Sequence, residues 1–189
     1  MRLFFALEIE KDPLLEELHV SLKGISSNLK PVRPHNQHIT LKFLGDPGCP
    51  LDAVKDAPRD LAKRLEPFEV QIDGMGAFPG WSKPSVIWLG LEPAEKLKEL
   101  AATLDRTLNE KLGTPLERRD LRAHITAARI KGGGPIPVGR VKDIMGSALD
   151  RLSKRSFIIR ADSFHLINST LTPHGPVYEI LETYHLMGQ

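Results

Sequence analysis

Cysteine is nearly absent: Cys49 is the only one in 189 residues. That excludes an intrachain disulfide and any cysteine-based zinc cluster, and leaves Cys49 as a loop residue in Gly45-Asp46-Pro47-Gly48-Cys49-Pro50. No apolar run approaches the ~20 residues of a membrane-spanning helix. The apolar start Leu3-Phe4-Phe5-Ala6-Leu7 is broken by Glu8, Glu10 and Lys11. It lacks the long apolar core and small-residue cleavage site of a signal peptide, and reads as a first strand. These absences predict a cytoplasmic protein with no membrane partner. A strong excess of either charge is missing too: 26 Lys+Arg against 24 Asp+Glu leave a formal +2. That is not the basic excess of a general nucleic-acid binder, but it suits an enzyme that gathers positive charge in one cleft. The glycines at 132–134 lack the following Gly-Lys-Ser/Thr of a P-loop, so nothing supports ATP use. No set of side chains has metal-ligand spacing. Neither a metal nor a cofactor is expected.

What is present is an ordinary globular composition, 41% hydrophobic and 26% charged. The length suits one large domain or two small lobes around a shared core. Residues 2–9 read as a buried strand. Asp12-Pro13 opens a helix as N-cap and first helical residue, with Leu14, Leu15, Leu18, Leu22 and Ile25 as its stripe. A strand follows at about 37–44, a turn at 45–50, and a helical pattern over 52–65 that Pro58 kinks or restarts. Residues 68–73 and 85–91 read as a hairpin across a loop at 74–84 that holds Phe78 and Trp81. A helix from Pro93 to Leu112 is closed by Gly113. A strand at 121–130, a helix at 138–152, and strands at 156–168 and 177–186 complete the chain, the last two joined by the turn Pro173-His174-Gly175-Pro176.

Two segments repeat one pattern: His38-Ile39-Thr40-Leu41 and His124-Ile125-Thr126-Ala127, 86 positions apart (124 − 38). Each lies in a strand, where residues two apart share a face. An imidazole and a hydroxyl therefore stand side by side, twice. Two such half-sites facing each other supply a general base and a general acid that titrate near neutrality, with two hydroxyls to hold an anion between them. A phosphodiester fits, because its displacement needs one proton removed from the nucleophile and one given to the leaving oxygen. By the same period, Lys42 and Arg122 share the face of their histidines. Arg118 and Arg119, with Arg122, and a second group comprising Lys131, Arg140, Lys142, Arg151, Lys154 and Arg155, are further basic candidates for the cleft or for solvated surface. His19 and His35 are expected at the surface and His165 and His185 as structural strand residues, whereas His174, in the Pro-Gly-Pro turn, is a minor candidate for the cleft.

The paired His-x-Thr-x motifs resemble those of the 2H phosphoesterase superfamily, and the whole chain resembles its RNA 2′,3′-cyclic phosphodiesterases, also called 2′-5′ RNA ligases. Four stretches carry the resemblance: Met1-Arg2-Leu3-Phe4-Phe5-Ala6-Leu7, His38-Ile39-Thr40-Leu41-Lys42-Phe43-Leu44-Gly45, His124-Ile125-Thr126-Ala127-Ala128-Arg129, and Ser169-Thr170-Leu171-Thr172-Pro173-His174-Gly175-Pro176-Val177-Tyr178. The resemblance implies an α+β fold. Two pseudo-symmetric lobes, each an antiparallel sheet with outer helices, would surround a central cleft in one bilobal unit over residues 1–189. It implies hydrolysis of RNA 2′,3′-cyclic phosphate ends to 2′-phosphates, with reversible ATP-independent 2′-5′ ligation, by a monomer acting on RNA such as tRNA halves. His38 would be the proton donor to the departing 3′-oxygen and His124 the proton acceptor from water. Thr40 and Thr126 would bind the phosphate. Arg129 matches a family position, yet period two sends it to the opposite face, so a phosphate contact there requires a bulge or a strand end. Leu121-Arg122-Ala123 and Ala127 stand where the family tends to have an aromatic, a proline and a leucine. The alternatives are a phosphoesterase on a small cyclic phosphate of ADP-ribose type, and a nucleotide-binding module without turnover.

Overall fold

The structure is a computed structural model that describes residues 1–119, 121–132, 134–173 and 175–189; Gly133 and His174 lie outside the described residues. A continuous apolar run, buried on both faces, builds β1 (Leu3–Glu8). Asp12 caps α1 (Pro13–Lys23) by accepting a 2.8 Å hydrogen bond from the Leu14 amide. A short β2 (Leu29–Pro31) and a 3₁₀ turn at Pro34–Asn36 lead into β3 (His38–Gly45). The pattern over 52–65 resolves into two helices, α2 (Leu51–Asp56) and α3 (Arg59–Arg64). They part at Pro58, which has no N–H to donate into a continuous ladder. Then come β4 (Phe68–Phe78), β5 (Val86–Glu92), α4 (Glu95–Leu112) with Gly113 closing it in the left-handed conformation, β6 (His124–Ile130), α5 (Val138–Lys154), β7 (Ile158–Ala161), β8 (Ser163–Thr172) and β9 (Gly175–His185).

The strands form one antiparallel sheet in the order β7-β4-β5-β6-β3-β1-β8-β9, with β2 paired to β6. The expected half-sheets are present and continuous. They meet at β3 and β6, where Ile39 pairs with Ile125. These are equivalent residues of the two motifs, so the pairing relates the halves by a pseudo-twofold. The half β3-β1-β8 corresponds to β6-β5-β4, and α1 between β1 and β3 corresponds to α4 between β5 and β6. The sheet is strongly curled. β7 and β8 are six inter-strand steps apart, about 29 Å if flat, yet only Asp162 separates them in sequence. Helices cover one face. Leu97, Leu100, Leu104 and Leu108 of α4 and Val141, Met145 and Leu152 of α5 are buried with Phe5, Leu7, Ile39, Leu89 and Ile125 in the main core. The other face is the cleft, where Phe4, Ala6 and Ile167 form a smaller apolar cluster with Tyr178 against it.

Three expectations change. The loop at 74–84 is shorter, because β4 runs on through a bulge at 73–74 to Phe78 and keeps pairing with β5 as far as Phe78↔Val86. The strand expected at 121–130 begins only at His124. The strand over 156–168 is two, since residues 158–161 pair with β4 and residues from 163 on turn away to β1.

The fourth change bears on the site. In the β1–β3 pairing Phe5 faces Lys42 and Ala6 faces Thr40, so Leu41 is an extra, bulged residue. In the β5–β6 pairing Ile87 faces Ala128 and Trp88 faces Thr126, so Ala127 is bulged in the same motif position. A bulge breaks strict alternation. Leu41 and Lys42 both turn toward the helices, as do Ala127 and Ala128, all of them buried. Lys42, expected beside His38, instead lies in the core with its Nζ 2.7 Å from Asp105 Oδ1. It donates to the Pro115 carbonyl at 2.8 Å and to Glu117 Oε1 at 3.3 Å. It ties β3 to α4 and the segment after it.

Removing one partner of a buried ion pair strands the other charge and costs about 3–5 kcal/mol. Lys42→Met is expected to lower the denaturant midpoint with the m-value unchanged, and Lys42→Met/Asp105→Leu to recover much of the loss. Equal midpoints for the single variant and the parent would mean that Lys42 adds nothing to stability.

Candidate active site

Both motifs lie on the cleft face beside the central seam. In an antiparallel pair the residue numbers of partners sum to a constant, here 164 (39 + 125). One step either way, His38 stands opposite Thr126 and Thr40 opposite His124. Cross-strand neighbours on one face have Cβ atoms about 4.5–5.5 Å apart. The four side chains thus form one patch, with the histidines on a diagonal.

Each imidazole is held by the same device. The Nδ1–H of His38 donates to the Asn36 carbonyl at 2.8 Å, and that of His124 donates to the Arg122 carbonyl at 2.6 Å. A carbonyl only accepts, so Nδ1 carries the hydrogen in both and Nε2 is the atom available for proton transfer. Aromatic rings flank each histidine. Phe4 lies 5.0 Å and Tyr178 5.3 Å from His38 between centroids; Phe78 lies 5.1 Å and Trp88 6.3 Å from His124. Gly76 makes room for Trp88, since a Cβ there would fall 2.2 Å from the indole ring.

Burial pushes the pKa of both histidines below the ordinary value of 6.5, against the upward pull of the carbonyl bonds. The Arg129 guanidinium lowers both further, and His124 also lowers His38. Arg129 reaches the site because of the Ala127 bulge. Alternation restarts after Ala128, so Arg129 returns to the cleft face and lines the cavity with His38, Thr126 and Tyr178. Burial raises the Tyr178 phenol, and Arg129 opposes that shift.

The other candidates divide. Arg122 precedes the strand; its guanidinium lies 5.7 Å from the centre of the Phe78 ring, by a smaller pocket of about 310 Å³ on the far side of His124. Arg118 and Arg119 are exposed. Arg151 pairs with Glu17, Arg155 with Asp12, and Lys142 lies over Trp81, whereas Lys131 lines the cleft. His19, expected at the surface, is half-buried, hydrogen-bonded to the Val32 carbonyl at 3.0 Å, and lines the cleft. His35 is exposed. His165 is buried and hydrogen-bonded to Thr183 Oγ1, while His185 is exposed at the end of β9. Sequence reasoning assigned no role to Tyr178, Trp88, Phe4 or Asn36. The alternation of Phe4 against Phe5 could have revealed Phe4. The Asn36 and Arg122 contributions are backbone carbonyls, for which side-chain identity carries no signal. Among the described residues, no group of three His, Cys, Asp or Glu side chains could hold a metal ion, and no helix is long and apolar enough to cross a membrane.

A family model described as the 2′-5′ RNA ligase superfamily matches residues 8–165. The chain is 32% identical to an RNA 2′,3′-cyclic phosphodiesterase of Archaeoglobus fulgidus, covering 97% of this chain and 99% of the relative. It is 33% identical to a protein of the same name from Methanothermobacter thermautotrophicus, covering 98% and 99%. A solved structure from Thermus thermophilus matches at a TM-score of 0.78 with 29% identity, covering 100% of both chains. Likeness of fold and of sequence over nearly the whole length leaves one conclusion: the chain belongs to the 2′-5′ RNA ligase superfamily.

Proposed function

We propose that this protein hydrolyses the 2′,3′-cyclic phosphate at an RNA end to a 2′-phosphate, with His38 as general acid and His124 as general base. One observation carries the reading. Two histidines stand on one face across the seam, each tied through Nδ1 to the carbonyl two residues earlier, so that two Nε2 atoms flank a patch holding Thr40, Thr126 and Arg129. The names of the Archaeoglobus fulgidus and Methanothermobacter thermautotrophicus relatives support it.

In the proposed step, Nε2 of neutral His124 takes a proton from water as the oxygen attacks phosphorus. The bond from phosphorus to the 3′-oxygen breaks, and Nε2 of protonated His38 gives its proton to that oxygen. Attack and departure on opposite sides of phosphorus match an acid and a base on opposite sides of the seam. The threonine hydroxyls and Arg129 hydrogen-bond the non-bridging oxygens, where negative charge concentrates. A 5′-hydroxyl in place of water gives 2′-5′ ligation, driven by the cyclic phosphate itself. The bridge to an RNA with a cyclic end, and to tRNA halves, belongs to this proposal.

The direct experiment is incubation of the protein in EDTA with an oligonucleotide ending in 2′,3′-cyclic phosphate, resolving 2′- from 3′-phosphate products. Exclusive 2′-phosphate is expected. His38→Ala and His124→Ala should each lower kcat by about 10²–10⁴-fold, and the double variant by little more than either single one, because the two act as a unit. Full activity in either single variant would remove that residue from the chemistry. Thr126→Val, which keeps the shape and deletes the hydroxyl, should lower kcat/KM about tenfold, as expected for a lost hydrogen bond to a charged group.

The pH profile follows from the shifts. Activity rises with pH as His124 loses its proton and falls as His38 loses its own. Both values lie below 6.5 in the free enzyme, so kcat/KM should peak on the acidic side of 6.5. Removing the Arg129 charge raises both histidines, so Arg129→Gln should move the peak to higher pH. A peak that stays in place would show that Arg129 does not act on the pair.

A further inference from the structure

The cavity that contains His38 continues well past the reacting groups. Resting on the phosphodiesterase reading, we propose that this far arm is a binding track for the body of a single-stranded RNA, contacting phosphates upstream of the cyclic end. The cavity measures about 1020 Å³, at the upper edge of the ~300–1,000 Å³ of small-molecule sites. That is more room than one cyclic nucleotide requires.

Its charge is the stronger observation. The described lining residues include five Lys or Arg, namely Lys23, Lys30, Arg33, Arg129 and Lys131, and no Asp or Glu. Over the whole chain the two signs are nearly balanced, 26 against 24, so the arm holds a local excess rather than a sample of the surface. Arg59, Arg151 and Arg155 pair with carboxylates; among the described residues these five do not, so their charge is open to a ligand. Lys30 lies directly opposite Arg129 in the β2–β6 pairing. Like charges at that spacing repel, and an upstream phosphate bound on the Lys30 side, next to the one that Arg129 holds, offsets that repulsion. Asn28 anchors the neighbouring loop: its carbonyl accepts from the Lys131 amide at 2.8 Å and its side chain donates to the Pro135 carbonyl at 3.1 Å. The backbone that carries Lys131 is therefore fixed beside Lys30.

Phosphate contacts declare themselves in salt dependence, with log K falling about 0.7 per contact against log salt for single strands. The test measures binding of an RNA of about eight nucleotides, a length within the site sizes of single-strand binders, ending in 2′-phosphate so that no turnover occurs, over a salt series. It also measures kcat/KM on a 2′,3′-cyclic mononucleotide. Lys30→Gln/Lys131→Gln is expected to reduce the slope by about 1.4 and weaken RNA binding about tenfold or more at low salt. Mononucleotide kcat/KM should be unchanged, and Lys30→Arg/Lys131→Arg should keep both the slope and the affinity. The track is overturned if the oligonucleotide binds no tighter than a nucleoside 2′-phosphate, if the Gln variant keeps the parent slope, or if the mononucleotide reaction falls in proportion. Absence of turnover on both substrates with the slope intact would overturn the phosphodiesterase reading and leave the track standing.

Discussion

The pairing of β3 with β6 at Ile39 and Ile125 is the contact from which the site follows. Both isoleucines are fully buried, and their alternation sends His38, Thr40, His124 and Thr126 to the opposite face. A slip of one residue would turn the apolar set outward and the imidazoles into the core. The core thus holds the register, and the register holds the geometry of the two histidines and two threonines. Because the paired residues are equivalents, the pseudo-twofold runs between them, and any ligand centred there meets one histidine and one threonine from each half.

The histidines are set between opposing influences. Aromatic rings and burial disfavour the charged imidazole, while a backbone carbonyl on Nδ1 favours it and fixes the tautomer. Burial is the larger effect in both. The same threefold setting of carbonyl, rings and bulge recurs in each half with different residues. Phe4 and Tyr178 do for His38 what Trp88 and Phe78 do for His124. The halves differ just after the bulge, where one carries Phe43 and the other Arg129. A symmetric frame thereby obtains an asymmetric field.

Much of this was legible in the chain. Asp12-Pro13 and Gly113 marked helix ends because capping is local chemistry, and the two motifs stood out because period two places His and Thr together. What escaped was set by pairing partners distant in sequence. The bulges at Leu41 and Ala127 arise from alignment with β1 and β5. They moved Lys42 into a buried ion pair with Asp105 and brought Arg129 to the cleft, reversing the faces that strict alternation predicts. β4 continues to Phe78 because β5 lies alongside to accept its hydrogen bonds, although glycines at 74, 76 and 80 weaken any local signal. The break at Asp162 is likewise invisible locally, since 158–161 and 163–172 differ in partner rather than in pattern.

The crossing of the chain between halves has a consequence for how the protein is made. After α3 the chain leaves the first half to add β4 beside β5, and after β7 it returns to add β8 beside β1. β1 thus emerges from the ribosome far ahead of its partner β8, with Leu3 destined for Asn168, 165 positions later (168 − 3). Closing so long a loop is entropically slow. Until it closes, β1 has an open edge and its apolar residues on the cleft side, Phe4 and Ala6, lack cover from Ile167. Until then the nascent chain carries an exposed edge and uncovered apolar surface, the features that make partly folded chains prone to aggregation.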